Sequence, residues 1–411
     1  MSIGTNWAGY HEYAATTLHR PASMDELREV VAAAPRIRAL GSRHSFNDLA
    51  DSAELVTLEG LEPSILVDDD SETVSFSAGV RYGDLAAALQ AEGWALRNMA
   101  SLPHISVAGA IATSTHGSGD RNGTLARAVS GLELVTADGG LRTISPADDE
   151  FDGAVVALGA LGVVTRITLD IEPTYDVRQD VYEGLPWERL LENYDAITSR
   201  AYSVSIFTDW VDDTRTSVWL KSRLDERTPP KELYGAKPLA GSVGLAEGPS
   251  SNATQQGGVP GPWNERLPHF KMGFTPSNGD ELQTEYLVPR MHALGALRAV
   301  RALGSRIAPH LHITELRSMA ADSLWLSGAY DTDATAIHFT WKNEPDAVLP
   351  LLPVIEAALE PFDARPHWGK LFHSVRRELY PKLDDFVSLA HEFDPEGKFR
   401  NAFLDRNVFA G

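Results

Sequence analysis

The sequence predicts an α+β protein of two domains. The chain has 411 residues, which exceeds the size at which a single hydrophobic core stops growing, so two domains are the default expectation. Patterns typical of helices and of strands alternate in the first half. After Glu172-Pro173 the composition shifts towards aromatic residues and longer alternating strands, which predicts a domain boundary near residue 175.

The first helix and the first strand are predicted by capping and by alternation. Ser23 followed by Glu26 has the spacing of a capping box, and apolar residues then fall on one helical face over 27–34. The alternation over 36–40 predicts a strand, and the run Gly-Ser-Arg-His-Ser-Phe-Asn over 41–47 predicts a turn-like loop. The predicted order is therefore helix, strand, loop.

The same mixture of strand and helix recurs in the next segment. Residues 73–77 alternate as a strand does. Asp84 is placed to cap a helix that runs to Ala91, and Gly93 is placed to end it.

A hairpin and a buried segment follow. The sequence predicts a β-hairpin, in which a strand over 132–136 is followed by an Asp-Gly turn and a segment starting at Leu141. The apolar stretch 153–164 is too short to cross a bilayer and predicts a buried helix, turn and strand. Its end merges with a predicted strand over 162–170.

The second half is predicted to be built on a sheet. Residues 202–207, 312–318 and 336–341 alternate with the period of two that strands have. The segment 241–261 is dense in Gly, Ser, Pro and polar residues, which predicts a long surface loop. No internal repeat is visible in the sequence.

Composition and charge exclude several classes of protein. The formal net charge is -21 and the pI is near 5.0, so the field of the molecule repels nucleic acid and anionic membranes, and neither is expected as a partner. There is no cysteine, which excludes disulfides, thiolate nucleophiles and iron–sulfur clusters; we expect no metal, and redox chemistry needs a bound cofactor. The first 20 residues lack the apolar core of a secretory signal, so we expect a cytoplasmic protein, and a monomer.

Two runs of small residues are candidate binding segments. The run Ala-Leu-Gly-Ser-Arg-His-Ser over 39–45 follows a predicted strand, so its backbone N–H groups can converge on an anion such as a pyrophosphate. Taken alone, His44 is more typical of a structural loop histidine. The run 99–119 is small and rich in hydroxyls, which lets a ligand approach the backbone closely. An exposed loop is the alternative, but the Ile and Val residues of this run make it too apolar.

These two runs and three later motifs resemble a known family. The later motifs are Gly-Ala-Leu-Gly-Val-Val over 159–164, His-Trp-Gly-Lys over 367–370 and Asp-Pro-Glu-Gly-Lys-Phe-Arg-Asn over 394–401. Over nearly its whole length the chain resembles the flavin-dependent alditol oxidases. These belong, with the aldonolactone oxidases, to the vanillyl-alcohol-oxidase type of FAD proteins. Each motif is weak alone, and the set is highly specific.

The resemblance implies a two-subdomain FAD-binding domain of the vanillyl-alcohol-oxidase (PCMH) type with a sheet-based substrate cap domain. It assigns residues 1–175 to the FAD domain, 176–364 to the cap and 365–411 to a segment that completes the active site. In the family a histidine at the place of His44 is bonded to the flavin 8α-methyl group, and a neutral imidazole is a competent nucleophile for that bond.

The resemblance also assigns individual residues to the cofactor. Arg43 departs from the glycine that is expected beside the linking histidine. The implied FAD-binding residues are Ala39, Leu40, Gly41, Ser42, Arg43, His44, Ser45, Ser101, Ser106, Gly109, Thr113, Ser114, Thr115, His116, Val164 and His367.

A polar pocket is predicted on two strands of the cap. Because side chains alternate along a strand, Glu315 and Arg317 share one side of the first strand, and His338 and Thr340 share one side of the second. Without the resemblance, a solvent-facing polar surface is the ordinary interpretation. The resemblance adds Lys370, which matches a family lysine that reaches the reacting hydroxyl.

Each residue of this pocket has an expected role in oxidising an alcohol. Arg317 and Lys370 would hold the developing alkoxide, and His338 is the candidate for accepting the proton because cationic neighbours keep it neutral. The expected catalytic residues are Arg317, Lys370, His338 and Glu315, and the expected substrate-binding residues are Ser101, Glu315, Arg317, Thr340 and Lys370.

The expected reaction is oxidation of the terminal primary hydroxyl of an alditol such as xylitol, sorbitol or glycerol. A hydride would pass to covalently bound FAD, and O₂ would be reduced to H₂O₂. The alternatives on the same scaffold are an aldonolactone oxidase and a flavin dehydrogenase with another electron acceptor; a non-catalytic carbohydrate-binding protein is an alternative from another class. A nicotinamide dehydrogenase is disfavoured because no G-x-G-x-x-G follows an early strand.

Overall fold

A computed structural model describes residues 3–213, 216–244, 249–274 and 280–410. The elements of the first half are short and mixed, as the sequence predicts. In chain order they are β1 (Thr17–His19), α1 (Met24–Ala33), β2 (Ile37–Ala39), β3 (Glu54–Val56), β4 (Ile65–Asp68), β5 (Thr73–Ser77), α2 (Tyr82–Ala91), β6 (Trp94–Ala95), α3 (Val107–Ala112), β7 (Val129–Val135), β8 (Leu141–Ile144), α4 (Phe151–Val155), β9 (Val163–Asp170) and β10 (Glu172–Pro173).

Two sheets organise this half. A parallel sheet has the order β1-β3-β2, and an antiparallel sheet has the order β4-β5-β9-β7-β8. The predicted hairpin is the β7–β8 pair, closed by a turn in which Gly139 has φ +81°. The predicted capping box at the start of α1 is confirmed, since the Ser23 side chain accepts from Glu26 N at 3.2 Å and Glu26 accepts from Ala22 N at 2.7 Å. A cap of this kind is worth about 1 kcal/mol.

The prediction that Asp84 caps α2 is wrong. The helix begins at Tyr82, Arg81 is its N-cap residue, and Asp84 lies in the first turn. A side-chain cap is unnecessary because Tyr82 N and Gly83 N donate to the carbonyls of Ile105 and Pro103. The predicted end is confirmed by Gly93, whose φ is +83°.

The elements of the second half surround one large sheet. In chain order they are β11 (Asp176–Glu183), α5 (Trp187–Glu192), α6 (Tyr194–Thr198), β12 (Ser203–Thr208), β13 (Ser217–Arg223), β14 (Lys237–Pro238), β15 (Gly261–Pro262), β16 (Glu281–Pro289), α7 (Ala293–Arg301), α8 (Gly304–Ile307), β17 (Leu311–Met319), β18 (Ala334–Lys342), α9 (Pro345–Val348), α10 (Leu352–Leu359), β19 (Arg365–Pro366), α11 (Leu383–Phe393) and α12 (Ala402–Leu404).

The large sheet has one apolar face and one polar face. Its strand order is β14-β11-β13-β12-β17-β18-β16-β19, and β15 pairs with β11 beside this path. On β18 the side chains of Ile337, Phe339 and Trp341 are completely buried in a core that also contains residues of α7 and α10. The alternate residues of β18 therefore point to the opposite face of the sheet, towards the first half of the chain.

The prediction of a surface loop over 241–261 holds for most of the described residues of that segment and is wrong at three of them. Residues 245–248 lie outside the described residues. In the described part, Ala253, Thr254 and Gln256 are buried. Their polar groups are satisfied inside the protein, since the Gln256 amide bonds Val243 N and O at 2.9 Å and Thr254 N donates to His269 O. Internal partners of this kind allow a polar segment to pack.

The C-terminal segment returns to the first half of the chain. Helix α11 packs into the core of the antiparallel sheet. The Asn401 side chain donates to the carbonyls of Asp48, Leu49 and Asp51, and the Lys398 ammonium donates to carbonyls of the α1 and β7 regions. In the described part of the chain, no helix has both the length and the apolar character of a transmembrane span.

Candidate active site

A cavity of about 680 Å³ lies between the first half of the chain and the polar face of the large sheet. Its size falls in the range of small-molecule and cofactor sites. One wall is formed by the small-residue runs 39–45 and 99–119, and the other by β16, β17, β18 and residues 367–370. The two regions that the sequence singles out therefore meet at one cavity.

The small-residue wall has no space for larger side chains. A Cβ atom at Gly41 would lie 2.7 Å from Ser106 Oγ, and one at Gly109 would lie 2.9 Å from the same atom. Ser106 is fixed in turn, because its backbone N–H donates to Ser42 Oγ at 2.9 Å. The two glycines thus bring the backbone of the 41–45 loop and of α3 close to the cavity.

His44 faces this cavity with an unused imidazole. Both ring nitrogens are buried, and neither has a hydrogen-bond partner of good geometry among the described residues. Burial lowers the pKa of His44 to about 4, so the ring is neutral at pH 7. Trp7 stacks on the ring at a centroid distance of 5.5 Å, which fixes the orientation of the imidazole.

Arg43 adopts the backbone conformation that a glycine would adopt. Its φ is +61°, in the left-handed region, which is uncommon for a residue with a side chain. Two contacts with the N-terminal segment hold it there: Trp7 N donates to Arg43 O at 2.8 Å, and Arg43 Nη1 donates to Ile3 O at 2.9 Å. The departure from the expected glycine therefore leaves the loop geometry intact.

One predicted cofactor residue does not face the cavity. Ser114 has φ +56°, and its hydroxyl contacts Ser327 Oγ at 3.2 Å and accepts from Gly328 N at 3.3 Å. The turn therefore directs the side chain away from the ligand space. The other fifteen predicted cofactor residues line the cavity, namely Ala39, Leu40, Gly41, Ser42, Arg43, His44, Ser45, Ser101, Ser106, Gly109, Thr113, Thr115, His116, Val164 and His367.

The predicted polar pocket forms the opposite wall. Strands β17 and β18 are antiparallel neighbours in which Glu315 pairs with His338, so the polar sides of both strands meet. Arg317 donates to the carboxylate of Glu315 and to the hydroxyl of Ser101. All five predicted substrate residues and His338 line the cavity.

Lys370 is held between two buried groups. Its Nζ lies 2.6 Å from Glu285 Oε2 and 2.6 Å from His338 Nδ1. Because Nδ1 accepts this bond, the neutral ring of His338 carries its proton on Nε2, which donates to Thr340 Oγ1 at 3.1 Å. Two of the three ammonium donors of Lys370 are used in this way, and the third is left for the cavity.

The reason predicted for the neutrality of His338 needs correction. Burial is the main cause that lowers its pKa to about 4, and the cationic neighbour Lys370 comes second. For Lys370, burial lowers the pKa and Glu285 opposes this shift, so the pKa lies below its ordinary value. Burial raises the pKa of Glu285, but Lys370 and His116 outweigh it and hold that pKa well below the ordinary value.

Two residues of this wall, Glu285 and His269, are not predicted from the sequence. Glu285 is 2 % exposed and also approaches His116, with 3.1 Å between Oε1 and Nε2. His269 is buried, and its Nε2 lies 2.8 Å from Glu315 Oε1. A signal for Glu285 exists, because Glu281, Gln283 and Glu285 alternate with apolar or small residues as a strand face does. His269 has no such signal, since it precedes β16 in an irregular segment.

Comparison with known proteins identifies the family. A family model described as FAD binding domain matches residues 15–145, and one described as D-arabinono-1,4-lactone oxidase matches residues 277–407. An alditol oxidase from a Streptomyces species is 48% identical over 408 residues, which cover 97% of each chain. The chain belongs to the alditol and aldonolactone oxidase branch of the vanillyl-alcohol-oxidase flavoproteins.

Two further comparisons extend over almost the whole chain. An L-gulono-1,4-lactone dehydrogenase from Mycobacterium tuberculosis is 30% identical over 435 residues, which cover 98% of each chain. The crystal structure of cholesterol oxidase from B. sterolicum superposes with a TM-score of 0.79 at 14% identity, covering 98% of this chain and 96% of that one, which shows a shared fold. The predicted family, fold class and FAD-dependent oxidoreductase activity are confirmed.

The residues of the small-residue wall fit the FAD of this flavoprotein family. A neutral, unpartnered imidazole lies at one position of the cavity, and glycines and small hydroxyl residues leave the backbone open along the rest. Ser42 and Ser106 supply short hydroxyls, which suits phosphate and ring oxygens, whereas the Thr113 hydroxyl donates to Gly109 O at 2.9 Å. The charged wall on β17, β18 and residue 370 is then left for the substrate.

Proposed function

We propose that this flavoprotein oxidises the terminal primary hydroxyl of an alditol, with O₂ as electron acceptor and H₂O₂ as product. Residues 1–175 would hold FAD, covalently through His44, residues 176–364 would cover the substrate, and residues 365–411 would close the site. The observation that carries the proposal is the pair of fixed cations, Arg317 and Lys370, on the wall facing the cofactor residues. The 48% identity to an alditol oxidase supports the alditol over the lactone.

The polar wall suits a substrate with several hydroxyls. Glu315 is an acceptor for hydroxyl protons, while Ser101 and Thr340 both accept and donate. Thr340 Oγ1 accepts from His338 Nε2, so its own proton is free to point to the substrate. A ligand without hydroxyls would leave these buried groups unpaired, at a cost of about 1–3 kcal/mol for each group.

The cationic wall suits the loss of a proton from the reacting hydroxyl. When bound, FAD supplies the hydride acceptor and the route of the electrons to O₂. The free N–H of Lys370 and the guanidinium of Arg317 would stabilise negative charge on the substrate oxygen. Lys370 can pass a proton to His338 Nδ1, 2.6 Å away. Rotation of the resulting neutral amine would turn its lone pair to the substrate hydroxyl, whose proton it then takes. His338 thus receives the proton through Lys370, without touching the substrate.

A substrate screen tests the proposed reaction. Xylitol, sorbitol, glycerol and an aldonolactone are compared at equal concentrations, with O₂ consumption and H₂O₂ formation as readouts. We expect the alditols to be turned over faster. A faster lactone would refute the alditol assignment and leave the flavoprotein intact, and reduced enzyme that stays colourless for minutes in air would refute O₂ as the acceptor.

His44→Ala is expected to abolish covalent attachment of the flavin. The neutral imidazole of the wild type is a nucleophile within the cavity, whereas alanine offers none. The measurement is flavin fluorescence of an acid-precipitated pellet, which should be present in the wild type and absent in the variant. His104→Ala, with a ring nitrogen 2.7 Å from Met272 O, is the matched control and should keep the fluorescent pellet. Flavin that washes out of the wild-type pellet would contradict the covalent bond.

The pH profile is expected to have an acid limb near 4. The neutral form of His338 is active, and its pKa of about 4 means that activity is lost only as the pH falls through that value, well below the ordinary 6.5. The charged form of Lys370 is active, so activity is also lost as the pH rises through its lowered pKa. The measurement is kcat/KM against pH, which reports the free enzyme. An acid limb near 6.5 would contradict the assignment.

A further inference from the structure

A buried chain of charged and polar groups lies behind Glu315, on the side away from Lys370. Lys221, on β13, is 1% exposed and lies in the interior of the cap. Its Nζ contacts the carbonyl of Leu267, the carbonyl of Pro268 at 3.1 Å and His269 Nδ1 at 2.9 Å. His269 Nε2 then reaches Glu315 Oε1 at 2.8 Å. Neither Lys221 nor His269 has a role in the chemistry described above.

The acceptors around Lys221 select a charged lysine. Carbonyl oxygens only accept, so two N–H groups of Lys221 are used by Leu267 and Pro268. A neutral amine that donates to both carbonyls would point its lone pair at His269, so the imidazole would need its proton on Nδ1. Nε2 would then carry no proton, and its lone pair would face the carboxylate of Glu315. The ammonium form avoids this conflict, because its third N–H is donated to Nδ1. Burial lowers the pKa of Lys221 well below its ordinary value and Glu315 opposes this shift, so the ammonium form depends on its three acceptors and on that carboxylate.

The same geometry fixes the tautomer of His269 and the state of Glu315. With Nδ1 accepting from Lys221, the ring carries its proton on Nε2 and donates it to Glu315 Oε1. The other carboxylate oxygen accepts from Arg317. Burial raises the pKa of Glu315, but Arg317 and His269 outweigh it and hold that pKa well below the ordinary value. Glu315 is therefore an acceptor with no proton to give.

We propose that Lys221 and His269 are positioning residues that keep Glu315 an acceptor-only carboxylate, so that the pocket takes a hydroxyl and rejects a carbonyl at that position. This inference rests on the proposed function. An alditol carries a hydroxyl on every carbon and can always donate to Glu315, whereas an aldonolactone has, besides its hydroxyls, a ring ester whose two oxygens only accept. Where the ester lies against Glu315, its oxygens and the carboxylate oxygens would face each other with no proton available to form a hydrogen bond.

The test compares alditol and lactone in variants of the chain behind Glu315. His269→Phe removes the donor to Glu315, Lys221→Met removes the group that fixes the tautomer of that donor, and His269→Gln retains an N–H donor that does not titrate. We expect the first two variants to raise KM for xylitol about tenfold, with a smaller change in kcat, and to lower the preference for xylitol over an aldonolactone by a similar factor. His269→Gln should stay within about threefold of the wild type.

The pH profile separates positioning from a merely structural role. The charged or titratable groups around Glu315 are Arg317 on its own strand, His338 opposite it on β18, His269 and Lys221 behind it, and Lys370 across the pocket. In the wild type His338, with a pKa of about 4, sets the acid limb of kcat/KM, because the pKa of Glu315 is held well below its ordinary value. Loss of the His269 donor raises the pKa of Glu315, and once it exceeds that of His338 it sets the limb. The acid limb should therefore move to higher pH in His269→Phe and stay in place in His269→Gln. Lys231→Met, at an exposed lysine, is the matched control.

Flavin content and thermal unfolding show whether each variant folds. If Lys221→Met does not fold, His269→Gln keeps the test valid. An unchanged xylitol preference and acid limb in folded Lys221→Met and His269→Phe would overturn this inference alone. A wild-type chain that oxidises no alditol would overturn the proposed function and, with it, this inference. A raised KM with an unmoved acid limb in His269→Phe would also overturn it, because packing alone would explain the change.

Discussion

Lys370→Met is expected to lower kcat for alditol oxidation by two to three orders of magnitude. Removing one preorganised donor from a developing oxyanion typically costs about that factor. The lysine is also the link between the reacting hydroxyl and His338, and only 17% of its side chain is exposed, so water is a poor substitute. The measurement is the rate of flavin reduction under anaerobic conditions, since that rate isolates the alcohol-oxidation step from the reaction with O₂.

Two comparisons make the Lys370 result specific. Lys231→Met, at an exposed lysine, should keep the wild-type rate. In Lys370→Ala, a small primary amine added to the buffer should restore part of the lost rate, because it can occupy the position of the ammonium beside Glu285. A variant that raises KM but keeps kcat would contradict the expected role, since Lys370 would then bind substrate and transition state equally.

The site residues that lie on strands can be predicted from the sequence, because side chains alternate between the two faces along any strand. Glu315 and Arg317 on one strand, and His338 and Thr340 on another, fall on the same face in any sheet that pairs them. The structure pairs them, with Glu315 opposite His338. Residues 39–45 and 99–119 are similarly visible, since only small residues fit where the backbone approaches a ligand.

What the sequence does not reveal depends on distant contacts. Lys221 and Glu315 are joined through His269, and nothing local marks these three positions as neighbours. The direction of the Ser114 hydroxyl depends on one left-handed residue in a turn, a local conformation that residue type alone does not specify. The start of α2 depends on carbonyls at 103 and 105 that satisfy its first N–H groups, and that substitute for the cap predicted at Asp84.

Glu285 decides whether Lys370 is charged at the pH of the reaction. The pocket contains the cations Arg317 and Lys370, and burial disfavours both. The carboxylate of Glu285, 2.6 Å from Lys370 Nζ, raises the pKa of that lysine against the effect of burial. Without this charge the pKa of Lys370 would fall further, and the ammonium would be lost at a lower pH.

Glu285→Gln should therefore shift the alkaline limb of the pH profile to lower pH. The amide keeps the shape of the side chain and an acceptor for Lys370, but it removes the negative charge. Since the ammonium is the active form, kcat should fall at pH values above the lowered pKa, by up to about tenfold for each unit of the shift, and recover as the pH is lowered. The measurement is kcat from pH 5 to 10 in the variant and the wild type.

The shape of this profile distinguishes charge from packing. Loss of packing around Glu285 would lower kcat equally at every pH, whereas loss of charge lowers it only where Lys370 is deprotonated. Glu396→Gln, at an exposed position, is the matched control and should reproduce the wild-type profile. An alkaline limb that stays in place in Glu285→Gln would mean that burial and the remaining partners, not this carboxylate, set the charge of Lys370.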